Sequence, residues 1–254
     1  MPDLTRDDGV KIYWEETGAG DPLLLIMGLG ATLEWWQRLI PVLSPHYRTI
    51  VYDNRGVGRS DVPPGPYPIP VMAADAVAVL DAAGVESAHV FGASMGGMIA
   101  QELALNYPSR VRSLILGCTA CGGKEVVPAS KEVGAALSAR KNMTREQAMW
   151  LMAPYVFDAG TPRERIAEDI AVRLQAKVTN DGYFAQLDGI RTWRGSHARL
   201  SGLTDGIRID LPKGPLTFSV SWGGAEFGRG RTLEEAMRMA DMKMYERRER
   251  RRTA

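Results

Sequence analysis

His89–Leu105 reads "HVFGASMGGMIAQELAL", and two different patterns meet inside it. "HVFGA" is a short apolar run of the kind a buried strand shows, and "MIAQELAL" is a helix-forming run. Between them stand Gly92-Ala93-Ser94-Met95-Gly96. A G-x-S-x-G at a strand-to-helix junction forces a sharp turn that lifts the serine side chain clear of the sheet. The flanking glycines let backbone pass where a Cβ would clash. The first N–H groups of the following helix have no partner of their own and favour negative charge nearby. Ser94 is therefore expected to be a positioned nucleophile.

Working outward from that turn, the β-rich runs "VKIYWEE", "PLLLIM", "YRTIVYD", "AHVFGAS" and "VRSLILG" alternate with helix-like stretches around residues 35–43, 69–83 and 95–106. This alternation predicts an α/β fold whose mostly parallel sheet is covered by helices on both faces. From about Cys121 the pattern turns to helix after helix, with "TREQAMWLMAPYVF", "TPRERIAEDIAVRLQAKV" and "DGYFAQLDGIRTW" each opening on a Thr or Asp that can cap. The layout expected is a core over 1–120, a helical lid over 121–195 and a tail over 196–254.

The chain has 254 residues, 45% hydrophobic and 24% charged, with a formal charge of +1. That is enough for one large core, and no field points to nucleic acid or membrane as a partner. The closing "ERRERRRTA" reads as a solvated helix end. The first residues lack a basic-then-apolar signal pattern and no run is long enough to span a bilayer, so a cytoplasmic protein is expected. Cys118 and Cys121 form "CTAC", but "GGKE" follows instead of a helix start that would stabilise a thiolate, and no second ligand pair exists for a metal. Gly117 and Gly122 have phosphate-loop spacing, yet Gly123-Lys124-Glu125 does not supply the required Lys-Ser/Thr. No metal or cofactor is expected.

Residues 9 to about 200 resemble an α/β-hydrolase of the small carboxylesterase and lactonase type. "LLLIMGLGATLEWW", "YDNRGVGRSD", the turn at Ser94 and "NYPSRVRSLILGCT" carry the resemblance by their order and spacing. It implies a nucleophilic Ser94 and an oxyanion hole made by the backbone N–H groups of Leu29 and Met95. Met27 replaces the more usual histidine of the glycine loop, a change that leaves a backbone donor intact.

The resemblance also implies a later strand ending in an acid and a loop carrying a catalytic histidine, and neither is recognisable. From Thr204 the sequence instead resembles the closing segment of a diguanylate cyclase (GGDEF) domain, in "LTFSVSWGGA" and "EAMRMADMKMYERRER". The string "GGAEF" at Gly223–Phe227 lies too close to that last helix to be the cyclase signature. A chimera results, with a foreign hairpin and helix expected to close the sheet edge and to favour a homodimer. His46 and His89 precede strands and His197 precedes the tail, so all three are expected away from the carboxyl ends where Ser94 sits. The carboxylates on the correct side are Asp53, Glu125 and Glu226, with Glu226 roughly where the family's acid would stand. The function expected is ester hydrolysis by Ser94 without a histidine base, weak or residual, on a small apolar ester; the alternative is an inactive binding module for an apolar ligand.

Overall fold

Leu23, Leu24, Leu25 and Ile26 are all buried because their strand runs through the middle of a sheet covered on both faces. The computed structural model describes residues 4–123 and 129–200, except the side chains of residues 197 and 200. Glu125, the expected hairpin and helix of the tail, and Glu226 lie outside the described residues. The strands are β1 (Leu4–Thr5), β2 (Lys11–Ile12), β3 (Trp14–Thr17), β4 (Asp21–Ile26), β5 (Tyr47–Tyr52), β6 (Ala88–Ala93) and β7 (Val111–Gly117). The main sheet has the order β3-β5-β4-β6-β7, with β3 antiparallel to β5 and every other pairing parallel. The α/β class and the mostly parallel sheet are as expected.

Strand periodicity divides the apolar runs between two cores. Leu24, Ile26, Ile50, Tyr52 and Val90 face a layer built by α2 (Ile69–Ala82) and α3 (Met95–Asn106), where Met72, Ala76, Leu80, Ile99 and Leu103 are buried. Leu23, Leu25 and Val51 face the other way, onto Met27, Leu33 and Trp36. At the α2 side a charge network is sealed in as well. Asp75, on α2, takes Arg55 Nε at 2.6 Å and Arg6 Nε at 3.0 Å. Asp8 adds a further ion pair to Arg55 at 3.0 Å.

Two of the expected elements are broken up. "VKIYWEE" is not one strand: β2 pairs with β1, β3 pairs with β5, and Tyr13 between them donates its N–H to Ser60 Oγ at 2.9 Å. The helix expected at 35–43 is a 3-10 turn, Leu33–Trp36, followed by the single turn α1 (Ile40–Leu43). Pro45 lies just beyond and cannot continue it.

The helical block comprises α4 (Lys131–Ala139), α5 (Arg145–Val156), α6 (Arg163–Gln175), α7 (Asn180–Thr192) and α8 (His197–Leu200). Thr144 caps α5 as expected, in a reciprocal capping box with Gln147. The other caps differ. Pro162, not Thr161, stands at the N-cap of α6, and no side-chain cap bond is made there. For α7 the cap is Thr179, whose hydroxyl accepts from Gly182 N at 3.1 Å, and Asp181 falls inside the helix. The block's far end is fastened to α3 at Glu102, which accepts from Trp193 Nε1 at 2.7 Å, Asn106 Nδ2 at 2.9 Å and Arg199 Nη1 at 3.0 Å. Burial alone would raise the Glu102 carboxyl, but these donors outweigh it and hold it below its usual range.

Candidate active site

Ser94 lies between β6 and α3 with φ 56° and ψ −121°, a conformation that a non-glycine residue holds only under constraint. The constraint is visible on both sides of the residue. Its N–H donates to Gly117 O at 2.8 Å, and its carbonyl accepts from Gly97 N at 2.9 Å and Thr119 Oγ1 at 2.7 Å. The glycines explain why the chain can turn there. A Cβ on Gly92 would collide with Gly96 O, and a Cβ on Gly96 would collide with Ile26 O. Ser94 itself is exposed, while the Met95 side chain is fully buried beneath it.

The glycine loop after β4 comes against this turn. A Cβ at Gly28 would stand 3.0 Å from Ser94 Cβ and 3.4 Å from Ser94 Oγ, so a side chain there would crowd the serine. In this loop Gly30 N–H goes to Gln186 Oε1 at 2.8 Å and Ala31 N–H to Gly28 O at 3.3 Å. Among the described residues nothing accepts from the N–H of Leu29, or from that of Met95 at the start of α3. Asn54 Nδ2 holds the loop's first carbonyl, Met27 O, at 2.9 Å. The loop that carries Leu29 thus meets the Ser94 turn at Gly28, and Met95 follows the serine as the first residue of α3. Glu226, also singled out from the sequence, lies outside the described residues.

Asp53 ends up in a structural role. Its Oδ1 accepts from Leu33 N and its Oδ2 from Arg59 N, both at 2.9 Å, so the carboxyl ties two loops together. Burial pushes its pKa up to about 6, against the lowering effect of those two N–H groups and of Arg59, with Glu34 nearby adding to the rise.

The described histidines stand where the sequence expects them. His89, in β6, is five residues before Ser94, roughly 16 Å along a strand. Its Nδ1 meets Ser113 Oγ at 2.7 Å and its ring meets the edge of Tyr47. His46 is exposed just before β5, at the same amino end of the sheet. His197 opens α8, and its side chain lies outside the described part. Cys118 is exposed beside the turn, Cys121 is buried, and no disulfide joins them. Cys121 O accepts from Ser196 N at 2.6 Å. A cavity of about 420 Å³ lies elsewhere, lined by Pro68, Ile69, Glu102, Trp193 and Arg199, and no residue of the Ser94 turn borders it.

Sequence reasoning missed three residues that shape this region. Thr119 locks the Ser94 carbonyl. Gln186, fully buried on α7, bridges Gly30 N and Arg55 O at 2.8 Å each and so docks the helical block onto the loop beside the serine. Arg140 follows α4 in a 3-10 turn, Arg140–Asn142, with its guanidinium 4.5 Å above the Tyr183 ring. Neither Thr119 in its loop, Arg140 in its 3-10 turn nor Gln186 on α7 gives a sequence signal of these contacts.

The comparisons with known proteins agree with this geometry. A protein named as a candidate carbamate hydrolase, RutD, from Azorhizobium caulinodans is 49% identical over 105 residues, which are 41% of this chain and 40% of the relative. 3-Oxoadipate enol-lactonase 2 from Acinetobacter baylyi is 32% identical over 180 residues, 66% of this chain and 64% of the relative. The chain therefore spans less than two thirds of the length of either. Among solved structures, a thermophilic esterase from Thermogutta terrifontis superposes with a TM-score of 0.67 at 26% identity, covering 79% of this chain and 74% of that one. The enol-lactonase from Burkholderia xenovorans LB400 gives 0.67 at 25% identity, covering 82% and 78%. Residues 21–161 match the family described as alpha/beta hydrolase fold. With the Ser94 turn, the glycine loop and the sheet order all in the same register, the chain belongs to the alpha/beta hydrolase fold family.

Proposed function

We propose that this chain is a serine-dependent hydrolase acting at the acyl carbon of a small ester or lactone, and that it works without a histidine base. The observation that carries this is Ser94 at φ 56°, exposed, with Gly28 of the loop against it and the N–H groups of Leu29 and Met95 unclaimed among the described residues. Ser94 Oγ adds to the acyl carbon while its proton passes to water. The carbonyl oxygen takes up the charge between the two N–H groups. Collapse breaks the bond to the leaving oxygen, which takes back the proton carried by water to give the alcohol, and a second water releases the acid from the acyl-serine. An esterase and enol-lactonases among the relatives support an acyl substrate.

The rate is set by what is missing. His46 and His89 lie at the amino end of the strands, so neither can take the serine proton. Serine hydrolases that lose a triad member keep roughly 10³- to 10⁴-fold catalysis over water from the oxyanion hole and binding. That residual activity is expected here, with α4 to α7 acting as the lid. The likeness of the tail to the end of a cyclase domain belongs to the same proposal: a hydrolase front joined to a foreign hairpin and helix, with Glu226 near the place of the family's acid.

Turnover of an activated aryl ester by the wild type and by Ser94→Ala tests it. Ser94→Ala is expected to turn over more slowly than the wild type while keeping what the oxyanion hole and binding supply, whereas replacing all three histidines by Gln leaves Ser94-dependent turnover within a few-fold. Loss of more than ~100-fold on changing one histidine, or ~2.7 kcal/mol of transition-state stabilisation, would show that a histidine completes the site after all. Equal rates for wild type and Ser94→Ala would leave the other reading, a binding module that turns nothing over.

A further inference from the structure

We infer that the site at Ser94 takes a substrate bearing a carboxylate, and that Arg140 receives that anionic group; this rests on the hydrolytic reading above. Arg140 is only 6% exposed, yet among the described residues no carboxylate faces it. Its bonds are long: Nε reaches Asn180 Oδ1 at 3.4 Å and Nη2 reaches Val178 O at 3.5 Å. Nη1 has no acceptor among the described residues, and it stands 3.8 Å from where a Cβ of Gly30 would be. Gly30 follows Leu29, and two Cα steps, at most about 7.6 Å, separate it from Gly28, which abuts Ser94 Oγ. The guanidinium edge therefore lies within a substrate's length of the reacting serine.

The electrostatics favour an anion there. Arg140 acts on Arg145 by like-charge repulsion, and Glu34, which also acts on Arg145, is already bonded to Arg59 at 2.9 Å. Burial holds the Arg140 guanidinium below the usual arginine value, with Tyr183 offsetting this in part. An arginine remains charged at neutral pH, and a buried charge without a counter-charge is costly to keep. Its planar fork matches a carboxylate in a two-bond arrangement. Stacking on Tyr183 and the grip of that ring on Leu137 O at 3.2 Å fix the fork in place before a ligand arrives.

The test compares mono-4-nitrophenyl glutarate with neutral 4-nitrophenyl valerate as substrates, and glutarate as a ligand of the Ser94→Ala protein followed by thermal shift. The expected result is a kcat/KM ratio, anionic over neutral, that falls at least 10-fold in Arg140→Gln, is partly kept in Arg140→Lys, and is unchanged in Arg163→Gln on α6. Glutarate is expected to stabilise Ser94→Ala and not Ser94→Ala/Arg140→Gln. If Arg140→Gln fails to fold, Arg140→Lys carries the same comparison at smaller amplitude. A ratio equal in wild type and both Arg140 variants, with Ser94-dependent turnover present, overturns the inference and leaves the hydrolase standing. Arg140-dependent glutarate binding with no Ser94-dependent turnover overturns the hydrolase and keeps the anion site.

Discussion

The sheet with its two covering helices and the helical block above it are held together by different physics. In α2 and α3 most residues facing the sheet are fully buried, and the charges sealed among them are paired, as Asp75 is with Arg55 and Arg6. In the block, α5 buries only Ala148 and Ala153, and α6 only Ile170, while Leu151 and Val156 stay exposed. Arginines do much of the fastening there instead. Arg173 lies over Trp35, Arg163 over Trp150 and Arg140 over Tyr183, and Arg145 reaches the carbonyls of residues 173, 174 and 176 at the end of α6. Only α7 is set deep, through Gln186 and through Gly182 against Gly56. A scaffold that fixes Ser94 thus carries a cover attached at few points, and local opening should be easier in the cover than in the sheet.

The comparison breaks most visibly at Asp75. Asp75→Ala leaves Arg55 buried without its main partner, and removing one member of such a pair costs about 3–5 kcal/mol. Denaturant unfolding should show that loss over the entire transition, because the network joins β1, the loop after β5 and α2. A loss below about 1 kcal/mol would mean the sheet does not depend on the sealed pair.

Asp53 sharpens the comparison through pH. Its folded pKa is about 6 against 3.8 for the free side chain, so the folded state holds the proton longer. Its contribution to stability is complete below pH 3.8, is lost as pH rises toward about 6, and is flat beyond. The shift corresponds to at most about 3 kcal/mol. Asp53→Asn has no such titration, and its amide offers a single oxygen to the two N–H groups of Leu33 and Arg59. The variant should start less stable at pH 4 by about 1–3 kcal/mol, and the gap should move in its favour by pH 7. A wild-type-minus-variant difference that stays constant over that interval would remove Asp53 as a titrating group.

What could be read in advance follows the same division. The Ser94 turn was legible because its requirement is a backbone requirement, and Gly92 and Gly96 state it in one local stretch. The apolar runs Leu23–Ile26 in β4 and Ile50–Tyr52 in β5 were legible for a related reason, since burial on both faces favours apolar side chains at consecutive positions. The break at Tyr13 was not, because its partner is Ser60, 47 residues on. Arg140 and Gln186 were invisible for the same cause: each meets residues far along the chain, and neither type nor spacing sets it apart from other polar residues on a helix. Thr161 and Asp181 were misread as caps: Pro162 stands at the N-cap of α6 with no side-chain bond, and Thr179 caps α7 two residues before Asp181.

The smallest effect is expected at Arg173, where the cover meets the loop after β4. Its guanidinium is 3.8 Å from the centre of the Trp35 ring and 5.3 Å from that of Phe157, with Asp169 at 3.9 Å on the same helix. Burial, with Arg38 nearby, lowers its pKa to about 10 against the pull of Asp169, so it is still charged at neutral pH. Arg173→Ala removes a partly desolvated cation–π contact of about 0.5–2 kcal/mol, while Asp169 keeps Arg38 at 2.6 Å. Arg173→Lys restores the charge but not the flat stack, and should recover less than half of the loss. Because α6 buries a single residue of its own, the loss should appear in α6 alone. Hydrogen exchange should quicken there by roughly 3- to 30-fold, at about 1.4 kcal/mol per decade, while β4, β5 and β6 keep their rates. Equal acceleration in the sheet would mean that cover and scaffold open as one unit and that the few-point attachment is wrong.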